Sequence, residues 1–415
     1  MSTEWMTAGS IVVGDGSPPL TDHAIRIENG LIAEVVPRAQ APAKVTDYGS
    51  ATIAPGFVDA HVHLLFDYQA DHEVTRAAVV NSSRDRLLAT GIRHGMECLR
   101  AGVTTVRDLG DRDRIVASVR DLIAEGVVPG PRIHTAGTPV TITAGHLGWL
   151  GGLADTPDDL VRLTRRLVAE GSDVVKVMAS GGNMTRESNK FLPQYTVDEL
   201  ALVVSEAHRG GKPVAAHALN SEAVRRSIAA GIDTIEHCGW VDIHGTPDLT
   251  EQDIADMKAA GSVATLTMAG IARQLLPDPD DANEAARAVA LTTSRSGGDL
   301  YADYEWARRL LDAGVGVVLA SDAGVRFTPF IGFLDTVRCG MVALGLDAAG
   351  AISLATLAAA RALREDHRLG SVEVGKLADL VVLDGVITAG STTIGAVREV
   401  RKGGVVVARD GVAVW

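Results

Sequence analysis

Two histidines two residues apart, in Val58-Asp59-Ala60-His61-Val62-His63-Leu64, interrupt an apolar run of strand length. On a strand, residues i and i+2 share a side, so both imidazoles face one point. Buried polar groups need partners, and a divalent cation is a common one for paired imidazoles. Taken alone, the motif fits a pair of hydrogen-bonded core histidines equally well. Four more chemically capable side chains lie in or at the ends of similar runs. They are Lys176 in Asp173-Val174-Val175-Lys176-Val177-Met178-Ala179, His217 in Val214-Ala215-Ala216-His217, His237 in Thr234-Ile235-Glu236-His237, and Asp322 closing Val317-Val318-Leu319-Ala320-Ser321-Asp322. Singly, Lys176 could form a Schiff base or an ion pair, and Asp322 could cap a helix. Six such groups on one face would be heavily destabilising without partners, so together they point to a metal site. Imidazole nitrogen and carboxylate oxygen without thiolate suit zinc or a similar borderline ion. An ammonium beside a dication is repelled, whereas a lysine amine that has reacted with carbon dioxide is an anionic carbamate that can bridge two cations. The expected centre is therefore two divalent metal ions bridged by an N6-carboxylysine at Lys176.

The elements that must position these groups follow an eightfold rhythm. Short Val/Ile/Thr-rich runs predict strands at 58–64, 103–109, 132–137, 173–180, 213–219, 233–239, 262–268 and 315–322. Amphipathic stretches between them predict helices. One runs from Arg84 to Arg100 and another from Thr196 to Gly210, where Thr196 and Glu199 form a capping box. Ser221 to Ala230 stops at Gly231, and Glu251 to Ala260 stops at Gly261. Eight strand–helix units in series predict an α/β chain folded as a (β/α)8 TIM-type barrel over residues 57–365, with its chemistry where strands meet the following loops. An open doubly wound sheet would usually carry a glycine-rich phosphate loop after an early strand, and none is present. The chain ends differ. Ala24-Ile25-Arg26-Ile27-Glu28 alternates before the hairpin signal Asn29-Gly30, and Asp379 to Gly385 and Glu399 to Val407 alternate in the same way. Neither end is long enough for its own core, so residues 1–56 and 366–415 are expected to form one small composite β-sandwich.

Composition narrows the partners. The 415 residues are 46% apolar and 22% charged, as in a globular chain, and the net charge of −13 argues against nucleic acid or an anionic membrane surface. No apolar run reaches the ~18 residues of a membrane span. Cys98, Cys238 and Cys339 make neither a disulfide framework nor a CxxC pair. Met1-Ser2-Thr3-Glu4-Trp5-Met6 lacks the basic and apolar regions of a secretion signal. The expectation is a cytoplasmic protein acting on a small-molecule substrate.

With these residues in view, the sequence resembles the amidohydrolase superfamily along nearly its whole length. The motifs that carry the likeness are Pro55-Gly56-Phe57-Val58-Asp59-Ala60-His61-Val62-His63 near the start and Gly375-Lys376-Leu377-Ala378-Asp379-Leu380-Val381-Val382-Leu383 near the end. Ala101-Gly102-Val103-Thr104-Thr105-Val106-Arg107-Asp108, Lys176-Val177-Met178-Ala179-Ser180-Gly181-Gly182, Gln194 to Leu200 and Ile235-Glu236-His237 resemble the imidazolonepropionase-related and prolidase-like hydrolases of that superfamily. The resemblance implies one metal held by His61, His63, Lys176 and Asp322, and another held by Lys176, His217 and His237. Asp322 would also act as the proton shuttle. His146, in Thr143-Ala144-Gly145-His146-Leu147-Gly148-Trp149, is similar to a glycine-flanked loop histidine that would polarise the substrate carbonyl; an exposed loop histidine is the plain alternative. The branch often has a second histidine two residues after the fifth-strand ligand, where this chain has Leu219. Homo-oligomers are common in the family.

Substrate identity rests on loops. Arg186, Tyr195 and Arg326 are candidates to bind a substrate carboxylate, although arginines there also fit surface ion pairs. Met268 to Gly298 is long enough for a lid. The leading expectation is hydrolysis of an amide C–N bond in an N-acyl amino acid or dipeptide. A cyclic amide, a lactone or a xenobiotic amide or carbamate stands beside it. An aminohydrolase of a heterocycle would manage with one metal, and a Schiff-base lyase would need Lys176 but no metal. A scaffold that had lost its chemistry should lack a ligand, and all six are present.

Overall fold

The computed structural model describes residues 3–268 and 304–414; the candidate lid, apart from Met268, lies outside them. The Val-, Ile- and Ala-rich runs form eight short parallel strands. They are β1 Phe57–Val62, β2 Val103–Asp108, β3 Arg132–Thr135, β4 Val175–Met178, β5 Val214–His217, β6 Thr234–Glu236, β7 Val263–Thr267 and β8 Val317–Ala320. Most of these positions are buried, which is why the runs read as continuously apolar rather than alternating. Strands β1–β2–β3 make one sheet and β4 to β8 another, each in chain order. Isolated parallel bridges link the two sheets: Val140 with Val177 of β4, and Val62 of β1 with Ala323 beyond β8.

Helices return the chain between strands, among them Arg84–Arg100, Pro157–Ala169, Val197–Arg209, Ser221–Ala229 and Glu251–Ala260. The Thr196–Glu199 capping box is present, and Thr250 with Asp253 makes a second. All eight expected strands occur, but they end early. Strand 233–239 contracts to Thr234–Glu236 and 315–322 to Val317–Ala320. The backbone turns left-handed at both ends: His237, its neighbour Cys238 and Asp322 adopt positive φ of 64°, 49° and 58°. Left-handed backbone leaves the strand ladder, and the side chains of His237 and Asp322 line the cavity beyond the strand ends.

The two chain ends build two antiparallel-rich sheets. Thr3–Thr7, His23–Glu28 and Leu31–Pro37 pair around the Asn29-Gly30 turn, with Thr46–Asp47 added at one edge. Ala51–Pro55 pairs antiparallel with Leu380–Asp384, which continues to Val397–Lys402 and Val405–Arg409. One sheet thus contains strands from both ends of the chain. Met6, Ile25, Ile27, Ile53, Leu380 and Val382 share a single buried cluster drawn from both sheets. Among the described residues no single helix is long and apolar enough to cross a membrane.

Candidate metal centre and active site

The six groups expected to converge do line one cavity of about 800 Å³ at the carboxyl ends of the strands. His61 and His63, from β1 and its end, are buried, with ring centroids 5.3 Å apart. Their Nε2 atoms lie 3.4 and 3.3 Å from Oδ1 of Asp322. These three residues offer ligand atoms all within 4.8 Å of one another, a spacing that suits one cation. His237 stands 5.0 Å from His61, His217 stands 4.7 Å from His237, and His146 stands 4.4 Å from His217, each measured between ring centroids. Lys176 projects from β4 into the same cavity. It is 1% exposed, and its Nζ has no hydrogen-bond partner among the described residues.

Charge states follow from burial. Burial, then the neighbouring His146, His237 and Lys176, holds His217 well below the ordinary imidazole range, and burial likewise depresses His146. Burial lowers His237 to about 3, against the pull of Asp322. These rings are therefore neutral near pH 7, the form that donates a lone pair to a metal. Burial alone would raise Asp322, but His61, His63 and His237 hold it below the usual carboxylate range. Burial, assisted by Arg107, lowers Lys176 to about 8. Neutral imidazoles, an ionised carboxylate and an unpartnered buried amine form a donor set suited to divalent ions, not to a packed apolar core.

Supporting contacts fix the orientation. Nδ1 of His61 lies 2.8 Å from Oε2 of Glu236, and Oε1 of Glu236 accepts from Nη2 of Arg107 at 2.8 Å. Nδ1 of His237 meets Oγ1 of Thr267 at 2.7 Å. Asp59 accepts from the Ser321 amide at 3.0 Å and from its hydroxyl, bracing the turn that carries Asp322. The backbone amide of His146 donates to Oε1 of Gln194 at 2.8 Å. A Cβ at Gly182 would sit 2.5 Å from the His146 ring, so only glycine leaves that ring its place.

The substrate-binding candidates separate. Arg326 lines the cavity. Arg186 is exposed and lies outside the lining. Tyr195 is 3% exposed and its hydroxyl donates to the carbonyl of Ala154 at 2.9 Å, so it braces the fold away from the cavity. A tyrosine one residue before a helix N-cap points into the layer that helix packs on, and its sequence proximity to the loop does not aim it at substrate. Lining residues that sequence reasoning missed include His72, Lys190, Trp240 and Trp306. Glu236 and Arg107 carried a usable signal, a charge inside an apolar strand, the same one that marked Lys176.

Fold and site together define a class. Residues 52–409 match the amidohydrolase family, and the chain belongs to it. It is 32% identical over 267 residues to the ochratoxinase of Aspergillus niger, a match spanning 57% of this chain and only 54% of that relative. It is 30% identical over 401 residues to the imidazolonepropionase of Micrococcus luteus, covering 88% of each chain. A solved structure of a Xaa-Pro dipeptidase with bound methionine is similar with a TM-score of 0.80 at 27% identity, covering 98% of this chain and 99% of that one.

Proposed function

We propose that this chain is a metal-dependent hydrolase that cleaves the amide C–N bond of an N-acyl amino acid or dipeptide. The observation that carries the reading is the buried, unpartnered amine of Lys176 in the same cavity as His61, His63, His217, His237 and Asp322. Conversion to an N6-carboxylysine gives that amine a partner and a reason for its place. Two divalent ions, zinc by donor type, would be held by His61, His63, Lys176 and Asp322 and by Lys176, His217 and His237. When bound they supply hydroxide at neutral pH and a Lewis acid for the carbonyl. The parallel strands and their bridges support one (β/α)8 barrel over residues 57–365. The terminal sheets support one β-sandwich over 1–56 and 366–415.

The remaining work falls to the chain. Asp322 accepts the proton of the attacking water and passes it to the leaving nitrogen. His146 hydrogen-bonds the carbonyl oxygen as charge develops there. Glu236 accepts from Nδ1 of His61 and so leaves Nε2 free to bind the ion. Arg326 lies four residues beyond Asp322 and lines the same cavity, which supports it as the group that binds the carboxylate of the amine half. Gly182→Ala is expected to lower kcat by about 10²-fold, the scale of a lost oxyanion donor, while metal content measured by elemental analysis stays at the wild-type value. Unchanged kcat would remove His146 from the mechanism.

The reading is tested by assaying zinc-loaded protein, with and without chelator, on N-acyl amino acids, dipeptides, lactams and lactones. Chelator-sensitive release of amine from the linear amides is expected, and Arg326→Ala is expected to raise KM for them about tenfold, the scale of one charge-assisted hydrogen bond. Turnover confined to lactams or lactones, or release of ammonia, would reject the linear-amide reading. A cyclic amide is the second reading, favoured by the likeness to an imidazolonepropionase over 88% of both chains.

A further inference from the structure

Besides Lys176, two cationic side chains line the cavity, Arg326 and Lys190, in a chain whose net charge is −13. Among its described lining residues Asp322 is the one carboxylate, and the mechanism uses it. Arg326, on the loop after β8, is joined in the lining by His72, the first residue of helix His72–Asn81. Burial, then Arg326, lowers the His72 imidazole, so it is a neutral hydrogen-bonding group there, and its Nδ1 is buried without a partner among the described residues. Lys190 and Asn183, both on the loop after β4, also line the cavity. Strands β4 and β8 are the two edges of the five-stranded sheet; Lys190 is tied to Asn220, beyond β5, and Arg326 follows β8, so the two cations belong to different strand ends of that sheet. Neither Lys190 nor Arg326 makes an ion pair among the described residues; each lies beside a phenylalanine ring, at 5.0 and 4.8 Å from the centroid of Phe191 and Phe327. The Lys190 loop is held in place: its carbonyl accepts from Nδ2 of Asn220 at 3.0 Å, and Asn189 caps the amide of Phe191 at 3.0 Å. The lining also has an apolar wall, with Leu219, Trp240, Val241 and Leu266 from the ends of β5 to β7.

The direction of the chemistry orders these features. Asp322 protonates the leaving nitrogen, so the amine half of the substrate lies toward β8 and its carboxylate meets Arg326 and His72. The acyl half must then extend along the apolar wall toward Lys190, which has no acidic ion-pair partner among the described residues. We infer that the substrate carries a carboxylate on each side of the scissile amide: an N-acyl amino acid whose acyl group itself ends in a carboxylate, with a short methylene spacer. This inference rests on the amide-hydrolase reading above and narrows it. Water adds to the amide carbonyl carbon, the C–N bond breaks, and the electron pair and a proton go to nitrogen. The products are a dicarboxylic acid and a free amino acid.

The test compares kcat/KM of the zinc-loaded enzyme for N-succinyl-L-leucine and N-butanoyl-L-leucine, which differ only in the terminal carboxylate. Succinyl is expected to be preferred by at least about tenfold, the scale of one charge-assisted contact. Lys190→Met is expected to bring the ratio close to one, and Lys190→Arg to keep it well above one. Hydrolysis of the butanoyl compound with no succinyl preference, or a preference that survives Lys190→Met, would overturn the inference and leave the amide-hydrolase reading standing. Hydrolysis of neither compound would overturn both.

Discussion

Replacing Lys176 with alanine is expected to lower metal content from the proposed two ions per chain to one or none and hydrolysis by at least about 10³-fold. Groups that act as one catalytic unit show losses of that order when a single member is removed. The amine is buried in β4 between Val175 and Val177 and has no hydrogen bond to lose. Deleting a buried polar atom from apolar surroundings does not of itself unfold a chain, because its desolvation penalty disappears with it. The metal-free variant is therefore expected to melt no lower than the metal-free wild type, which separates loss of the centre from loss of the fold. Acetate or propionate should fill the vacated space, supply a carboxylate and restore part of both metal content and activity. Reconstitution of the wild type from metal-free protein should be slow in buffer purged of carbon dioxide and fast with added bicarbonate. Retained activity in the alanine variant would instead favour a one-metal aminohydrolase. Borohydride trapping of a substrate adduct on Lys176 would favour a Schiff-base lyase.

The six candidate ligands were legible because each places a polar or charged atom in, or just past the end of, an otherwise apolar strand run, a local contradiction that a site resolves. The strand–helix rhythm was legible for a related reason: strands buried on both faces read as unbroken Val, Ile and Ala. Strand lengths were not, since the positive φ at His237 and Asp322 is imposed by the turn each residue must make and leaves no mark in composition. Loop side chains were the hardest to aim. Arg186 and Lys190 lie four residues apart on one loop, yet Lys190 enters the cavity and Arg186 does not. No periodicity governs a loop, so its directions are set by contacts such as the one between Asn220 and the Lys190 carbonyl. Arg326 follows the end of β8 by six residues and lines the cavity, the short tether leaving the chain little freedom to turn away.

Arg107→Met is expected to destabilise the metal-free protein by about 3–5 kcal/mol, the scale on which a broken buried ion pair is felt, and to weaken metal binding by about 10–100-fold. Arg107 is 1% exposed, and each nitrogen of its guanidinium is engaged: Nε donates to the carbonyl of Ala60 at 2.7 Å, Nη1 to Thr234 at 3.1 Å and Nη2 to Glu236 at 2.8 Å. Burial would push Glu236 toward its neutral acid; Arg107, then His61, outweigh it and keep the group ionised. The ionised carboxylate fixes the His61 tautomer, so the arginine acts on the candidate metal site through two intermediaries and touches neither substrate nor ion. The single variant alone would not separate a structural role from a positioning one, because it strands the Glu236 charge in the interior. Removing both charges in Arg107→Met with Glu236→Leu takes away the uncompensated charge, and such pairs are often replaced by apolar residues without loss of stability. The double variant should therefore recover most of the melting temperature yet keep the weakened metal affinity, because His61 still lacks the acceptor that orients it. Recovery of wild-type affinity along with stability would mean that the chain from Arg107 to His61 holds up the strands and nothing more. A double variant that melts like the wild type but binds metal 10–100-fold more weakly would show the two effects to be separable, with the charge relay in the strands tuned to the histidine that ends it.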